Sequence, residues 1–219
     1  MKLLAIIPAY NSGPFIGRVI DETSRHVSDI LVVDDGSTDN TVDAAKARGA
    51  EIIRHEANKG KGSALKSGFG YAIAKGFEQV ITIDGDGQHD PAYIPAFIST
   101  FEATRADLII GSRKTDLADM PFDRRCSNFL TSLILSWLLG AHIEDSQSGF
   151  RLLSVKMLES LKLTSDRYQI ESEIIIKAAR AGFKIAYVPI KVVYGRNFPS
   201  SIRGFRDTFN WLKMVLEEI

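Results

Sequence analysis

At 219 residues, with an apolar share of 45% and a charged share of 25%, the chain suits one large soluble domain with a substantial core. Its 27 basic and 27 acidic residues balance, which argues against a broad nucleic-acid-binding face. A single cysteine, Cys126, excludes an internal disulfide and fits a reducing, cytoplasmic compartment.

In chain order, Met1-Lys2 runs directly into a strand-like segment and does not read as a signal peptide. Residues 3–7, 30–34, 51–55, 79–83 and 107–110 read as short strands, with helical patterns near 14–25, 39–48, 61–75 and 91–103 between them. This alternation predicts an α/β fold: a Rossmann-like, mainly parallel central sheet flanked by helices on both faces. Beyond residue 113 the pattern loosens. Residues 124–140 read as one or two helices, 149–153 as a strand, 170–181 as a helix and 184–194 as one or two strands interrupted at Pro189. An amphipathic helix over 204–219 closes the chain, with Phe205, Phe209, Leu212, Val215 and Leu216 on one face. The apolar stretch 129–141 is shorter than the roughly 18 residues of a spanning helix. It also carries Thr131, Ser132 and Ser136, so it reads as a buried or interfacial helix. No repeat or linker interrupts the chain, which predicts one domain over 1–219.

In such sheets ligands bind at the carboxyl ends of the strands. The polar clusters at 8–12, 34–41, 58–62, 84–90 and 111–113 each follow a strand, so they fall along that one edge. The most informative is Asp84-Gly85-Asp86-Gly87-Gln88-His89-Asp90-Pro91. Two carboxylates one residue apart at a strand end are expected on the same side of extended backbone, and they repel unless a cation lies between them. Oxygen ligands of this kind favour magnesium, manganese or calcium, and magnesium commonly joins one or two carboxylates to phosphates. Gly85 and Gly87 leave room for phosphates to approach the backbone. A plain Asp-Gly turn is the competing reading. An EF-hand loop fits badly, because His89 stands where its glycine and Pro95 where its glutamate belongs.

Asp39 or Ser37 is expected to cap the next helix, while Asp34 and Asp35 suit hydrogen bonds to a base or ribose. Amides and lysines of Asn58-Lys59-Gly60-Lys61-Gly62-Ser63 at a helix start suit phosphate, with a solvated turn as the equal alternative. Arg113, Arg124 and Arg125 supply cations matched to phosphate oxygens. Glu171 and Glu173 open a helix, where acids also complement the dipole, and read equally as structural or functional. The histidines at 26, 55, 89 and 142 have no zinc spacing.

Taken in order, Pro8-Ala9-Tyr10-Asn11, Asp34-Asp35-Gly36-Ser37, Asn58-Lys59-Gly60-Lys61-Gly62, the Asp84–Pro91 run, Gly111-Ser112-Arg113, Asp145-Ser146-Gln147-Ser148-Gly149-Phe150-Arg151 and Val188-Pro189-Ile190 resemble family 2 glycosyltransferases of the GT-A fold. The likeness is to the branch of dolichyl-phosphate mannose synthases and polyprenyl-phosphate glycosyltransferases. It implies a nucleotide-binding half over about 1–113 and an acceptor-side half over about 114–219. It further implies that Pro8, Tyr10 and Asp35 hold the nucleoside, and that Asp84, Asp86 and Gln88 hold Mg2+ or Mn2+ with the diphosphate. Lys61, Gly85, Arg113 and Arg125 or Arg124 would complete the donor site, joined by Arg196. Asp86 and Asp145 would be the catalytic residues. Ile202 replaces a lysine of the family's C-terminal element, Ser12 stands where glutamate is common, and the membrane-spanning segments of many relatives are not expected here.

The implied reaction moves a hexose, with inversion, from a nucleotide-sugar to a polyprenyl phosphate. A phosphate monoester is mostly ionised at neutral pH, so its oxygen needs no general base, and Asp145 would orient the acceptor region. With a sugar hydroxyl as acceptor, Asp145 becomes the candidate base. Nucleotidyl transfer and an inactive binding module are the rivals, the first disfavoured by Pro8-Ala9-Tyr10-Asn11 at the first strand's end and the second by the intact Asp84 and Asp86. Segment 129–141 behind Arg124 and Arg125, and the last helix with Arg203 and Arg206, predict peripheral attachment to a membrane face.

Overall fold

β-Branched and aliphatic residues dominate seven short strands because each is covered on both faces, the condition for a mainly parallel sheet. The structure is a computed structural model and describes residues 1–114 and 122–192 with Trp211, Met214 and Val215, residues 122–124 as backbone only. The chain runs β1 (Leu3–Ala9), α1 (Gly13–Thr23), β2 (Asp29–Asp34), α2 (Thr41–Lys46), β3 (Glu51–Arg54), α3 (Lys61–Ala74) and β4 (Gln79–Thr82). It continues with α4 (Ile94–Thr104), β5 (Leu108–Ser112), α5 (Phe122–Leu139), β6 (Arg151–Ser154), α6 (Val155–Ser160), α7 (Ile170–Arg180) and β7 (Ile185–Pro189). The α/β, mainly parallel architecture expected from the alternation is the observed one.

The strands lie in the order β3-β2-β1-β4-β6-β5-β7. β6 alone runs antiparallel, between β4 and β5, with Arg151 opposite both Thr82 and Ile110. Its direction matters for function: the residues just before it emerge at the same edge as the residues just after β4 and β5. Alternate side chains of β1 enter two cores, Leu4 and Ile6 on one face, Ala5 and Ile7 on the other. α3, α5, α6 and α7 cover the first face and α1, α2 and α4 the second.

The N-cap of α2 is Asn40, not Asp39 or Ser37 as expected, but Asp39 still accepts the first amides of two helices. Its carboxylate accepts from the Thr41 amide at 3.0 Å and from the Gly13 amide at 3.0 Å, opening α2 and α1. Of the closing amphipathic segment, Trp211, Met214 and Val215 are described; they join the first core, and Trp211 Nε1 donates to Ser172 Oγ at 2.9 Å. Among the described residues no helix is long and apolar enough to cross a membrane. Arg196, Ser201, Ile202, Arg203 and Arg206 lie outside the described residues.

Candidate active site

β4 ends at Thr82, so Asp84 and Asp86 are not on extended backbone as the sequence suggested. They sit on the turn that follows, where Gly87 takes φ +75, a left-handed value that favours glycine. The turn is held from two sides. Gly85 donates its amide to Pro8 O at 3.3 Å, and Asp86 Oδ1 accepts the Gln88 amide at 2.9 Å. Pro8 thus anchors this turn through its carbonyl, while Tyr10 beside it is exposed.

Asp84 has an internal counterion. Lys61 Nζ lies 2.6 Å from Asp84 Oδ1 and 2.6 Å from Glu171 Oε1, bridging the ends of β4, α3 and α7. Burial disfavours the ammonium, but the two carboxylates outweigh it and raise the Lys61 pKa above its ordinary value. Asp84 is held low despite its burial, chiefly by Lys61. Thr82 Oγ1 donates to Gly149 O at 2.7 Å, which presses the loop before β6 against this pair. A Cβ at Gly149 would lie 2.6 Å from Lys61 Nζ and 2.7 Å from Asp84 Oδ2.

The second ion pair joins Arg113, after β5, to Asp145. Arg113 Nε meets Asp145 Oδ2 at 2.7 Å and Nη2 meets Oδ1 at 2.8 Å, the bidentate geometry that arginine favours. Asp145 also accepts the amides of Arg113, Gln147 and Ser148. Fully buried, its carboxyl would ionise less readily, but the Arg113 guanidinium and these donors hold it below the usual range. Five donors on one carboxylate leave no good place for a substrate proton, so the geometry disfavours Asp145 as a base. It anchors Arg113. Beneath it, buried Arg151 donates to Ser148 O, Ser146 O and Glu171 O, tying the loop to α7.

The phosphate reading of the Asn58–Ser63 stretch needs correction. Asp35 Oδ1 accepts the Lys59 amide at 3.0 Å and Asp35 Oδ2 the Gly60 amide at 2.7 Å. Ser63 donates its amide to Asp166 O, and a Cβ at Gly60 or Gly62 would strike Asp166 O or Ser165 O. Protein takes the Lys59, Gly60 and Ser63 amides, three of the six, and Gly60 and Gly62 admit the 165–167 backbone. Lys61's side chain, not the helix start, reaches the site. Sequence reasoning also left Glu171 and Glu173 undivided. Glu173 takes the Thr164 and Ser165 amides and Lys177, a structural duty, whereas Glu171 faces Lys61.

His89 is buried against Phe150, its Nε2 3.7 Å from Asp84 Oδ2, and its Nδ1 has no hydrogen-bond partner among the described residues. Burial pushes its pKa down to about 4, so it is neutral at physiological pH. The donor set fits a hard divalent cation: Asp84 Oδ2 is beyond hydrogen-bond reach of His89, and the Asp86 carboxylate shares the turn. Among the described residues no three acidic, histidine or cysteine side chains form a group that could hold a metal ion. Arg125 is exposed on α5.

The model of "Glycosyl transferase family 2" matches residues 4–161. The chain is 34% identical to UDP-N-acetylglucosamine–dolichyl-phosphate N-acetylglucosaminyltransferase of Methanococcus voltae, over 86% of this chain and 84% of that protein. It is also 34% identical to undecaprenyl-phosphate mannosyltransferase of Micrococcus luteus, over 88% and 84%. Glucosyl-3-phosphoglycerate synthase of Mycobacterium tuberculosis, solved with Mn2+ and uridine-diphosphate-glucose, shares the fold at a TM-score of 0.78 and 23% identity, over 99% of this chain and 78% of that one. An acidic turn after β4, ion pairs at one sheet edge and a family match over most of its length agree: this chain is a glycosyltransferase of family 2, built on the GT-A fold.

Proposed function

We propose that the protein transfers a hexose from a nucleotide-sugar to a polyprenyl phosphate with inversion at the anomeric carbon. The observation that carries this reading is the saturated carboxylate of Asp145, which suits an acceptor that arrives already ionised. His89 is a weak base, and Asp84 is paired with Lys61 and held below its ordinary pKa, so neither is placed to take a proton from a hydroxyl. The two relatives named for dolichyl-phosphate and undecaprenyl-phosphate acceptors support it.

Pro8, Tyr10 and Asp35 hold the nucleoside, with Asp84, Gly85, Asp86, Gln88, Lys61 and Arg113 around the diphosphate. Arg125 and Arg196 are further candidates for the phosphates. Asp84, Asp86 and Gln88 would hold Mg2+ or Mn2+, which when bound offsets the charge growing on the departing diphosphate. Lys61 adds a fixed positive charge beside that leaving group, and Arg113, aligned by Asp145, adds a second cation at the same edge. The test is transfer of labelled sugar from nucleotide-sugars into solvent-extractable polyprenyl phosphate, with and without chelator. Transfer that chelator abolishes is expected; transfer only to sugar hydroxyls would sink the lipid-phosphate reading. Asp145→Asn is expected to weaken both turnover and donor binding through Arg113. A loss of ~10²-fold or more in turnover with donor binding intact would instead mark a general base.

We also place the protein on the cytoplasmic membrane face. α5 packs Leu135 into the first core and also buries Asn128, Thr131 and Ser132, yet it leaves Phe129 69%, Leu130 55%, Leu133 53% and Trp137 82% exposed. The buried hydroxyls bond the 145–147 loop, with Thr131 Oγ1 2.8 Å from Ser146 Oγ. The apolar side is left for a lipid surface near the acceptor end of the site. Co-sedimentation with anionic vesicles at low salt is expected for the native chain and at least severalfold weaker for Leu133→Ser/Trp137→Ser. Absence of binding by the native chain would overturn the placement.

A further inference from the structure

Asp35 is reached from behind by a second buried group that the reaction so far leaves unused. His55 follows β3, and its Nδ1 lies 2.7 Å from Asp35 Oδ1; its Nε2 lies 2.9 Å from Ser67 Oγ on α3. Both acid and imidazole are nearly inaccessible, their side chains 4% and 8% exposed. An ionised carboxylate only accepts, so Nδ1 carries the hydrogen toward Asp35, while Nε2 shares a hydrogen bond with the Ser67 hydroxyl. The hydrogen-bond order is that of a hydrolytic triad, but it runs the other way in space. Here the carboxylate stands at the end of β2 on the ligand edge, and the serine is the remote member.

A carboxylate offers about four acceptor places. His55 and the Lys59 amide fill Oδ1, and the Gly60 amide takes one place on Oδ2. One place on Oδ2 is left, aimed by three fixed partners, for an N–H or hydroxyl of the nucleoside. The same carboxylate holds the amides of residues 59 and 60, immediately before Lys61, whose ammonium meets Asp84. Ser67, His55 and Asp35 therefore connect the nucleoside end of the site to its diphosphate end through one loop.

We infer that His55, backed by Ser67, is a positioning residue for donor binding: it acts through Asp35, fixing that carboxylate toward the nucleoside and the 58–60 loop toward Asp84. The inference rests on the donor reading proposed above. It predicts that losing the imidazole harms binding of the nucleotide more than turnover of what is bound, because no contact to the reacting atoms is lost.

The experiment titrates uridine and guanosine diphosphates in the presence of Mn2+ against the native chain, His55→Ala, His55→Asn and Ser67→Ala, with thermal melts and donor kinetics in parallel. For whichever diphosphate the native chain binds, His55→Ala is expected to weaken affinity about tenfold, the scale of one hydrogen bond to a charged group. The donor KM rises to match and kcat stays within about threefold. His55→Asn, which keeps an N–H toward Asp35, restores most of the affinity, and Ser67→Ala loses a smaller part of it. Unchanged affinity in His55→Ala overturns the inference. So does a loss that Asn fails to restore and that follows the melting temperature across all three variants, which is the mark of a purely structural histidine. Should His55→Ala not fold, the Asn and Ser67→Ala variants separate the same two outcomes. A native chain that binds neither diphosphate defeats the donor reading itself, an outcome separate from the others.

Discussion

Gly149→Ala is expected to lower turnover by about 10²-fold or more while leaving the fold nearly as stable as before. The added Cβ would sit 2.6 Å from Lys61 Nζ and 2.7 and 2.9 Å from the two Asp84 oxygens, well inside contact distance. Gly149 is not among the glycines with positive φ, so alanine meets no backbone penalty there. The atoms in the way are ends of side chains, so the ion pair moves and the sheet does not. A displacement of about 1 Å in groups that align substrate can cost 10²-fold in rate. Steady-state kinetics beside a thermal melt would check it, with a melting shift of no more than about 4 °C, the equivalent of ~1 kcal/mol in a chain of this size. Native-like turnover, or an activity loss explained by a collapse in stability, would refute the account of why this residue lacks a side chain.

Arg151→Met should do the reverse, acting first on stability. Its guanidinium is 2% exposed and donates to Ser148 O at 2.7 Å, Glu171 O at 2.6 Å and Ser146 O at 3.2 Å. Burial works against its charge, and the nearby Glu171 and Asp145 carboxylates work to keep it. Methionine fills much of the volume but takes a charged donor from three carbonyls, of which Ser146 O keeps only the long bond from Ser172 Oγ at 3.5 Å. Removing one partner from a buried charged cluster typically costs about 3–5 kcal/mol, so the urea midpoint should fall markedly. Lysine at 151 should rescue little, since a point ammonium cannot fork to three carbonyls. Because Ser146 and Ser148 flank Asp145, and Glu171 holds Lys61, any folded Arg151→Met enzyme should also lose donor affinity. A midpoint equal to the native one would show that these bonds contribute no net stability.

Most elements and their order were legible because the signals are local, although α6 was not among those expected. An apolar β-branched run followed by Asp, Gly, Ser or Asn marks a strand and its exit, and β1, β2 and β4 are where those runs stand. Pairings across the site were not legible, since partners are far apart in the chain: Lys61 with Glu171, Arg113 with Asp145, His55 with Asp35. Glu171 and Glu173 show the limit most clearly. Each looks like a favourable acid in the first turn of a helix. Two residues turn a helix by about 200°, so one faces the site and the other a supporting loop.

The Asp84-Gly85-Asp86-Gly87-Gln88-His89-Asp90-Pro91 run and its six companion motifs were enough for the α/β class, the family resemblance and the edge on which the polar clusters gather. Those features depend on residue type and spacing, which are present in one dimension. It took the folded chain to show that β6 enters the sheet antiparallel, that the loop before it meets Asp84, and that Asp145 is filled by Arg113 and backbone donors. A carboxylate's role depends on which donors fill its lone pairs and which charges share its burial. Those neighbours are set by strand order and helix rotation.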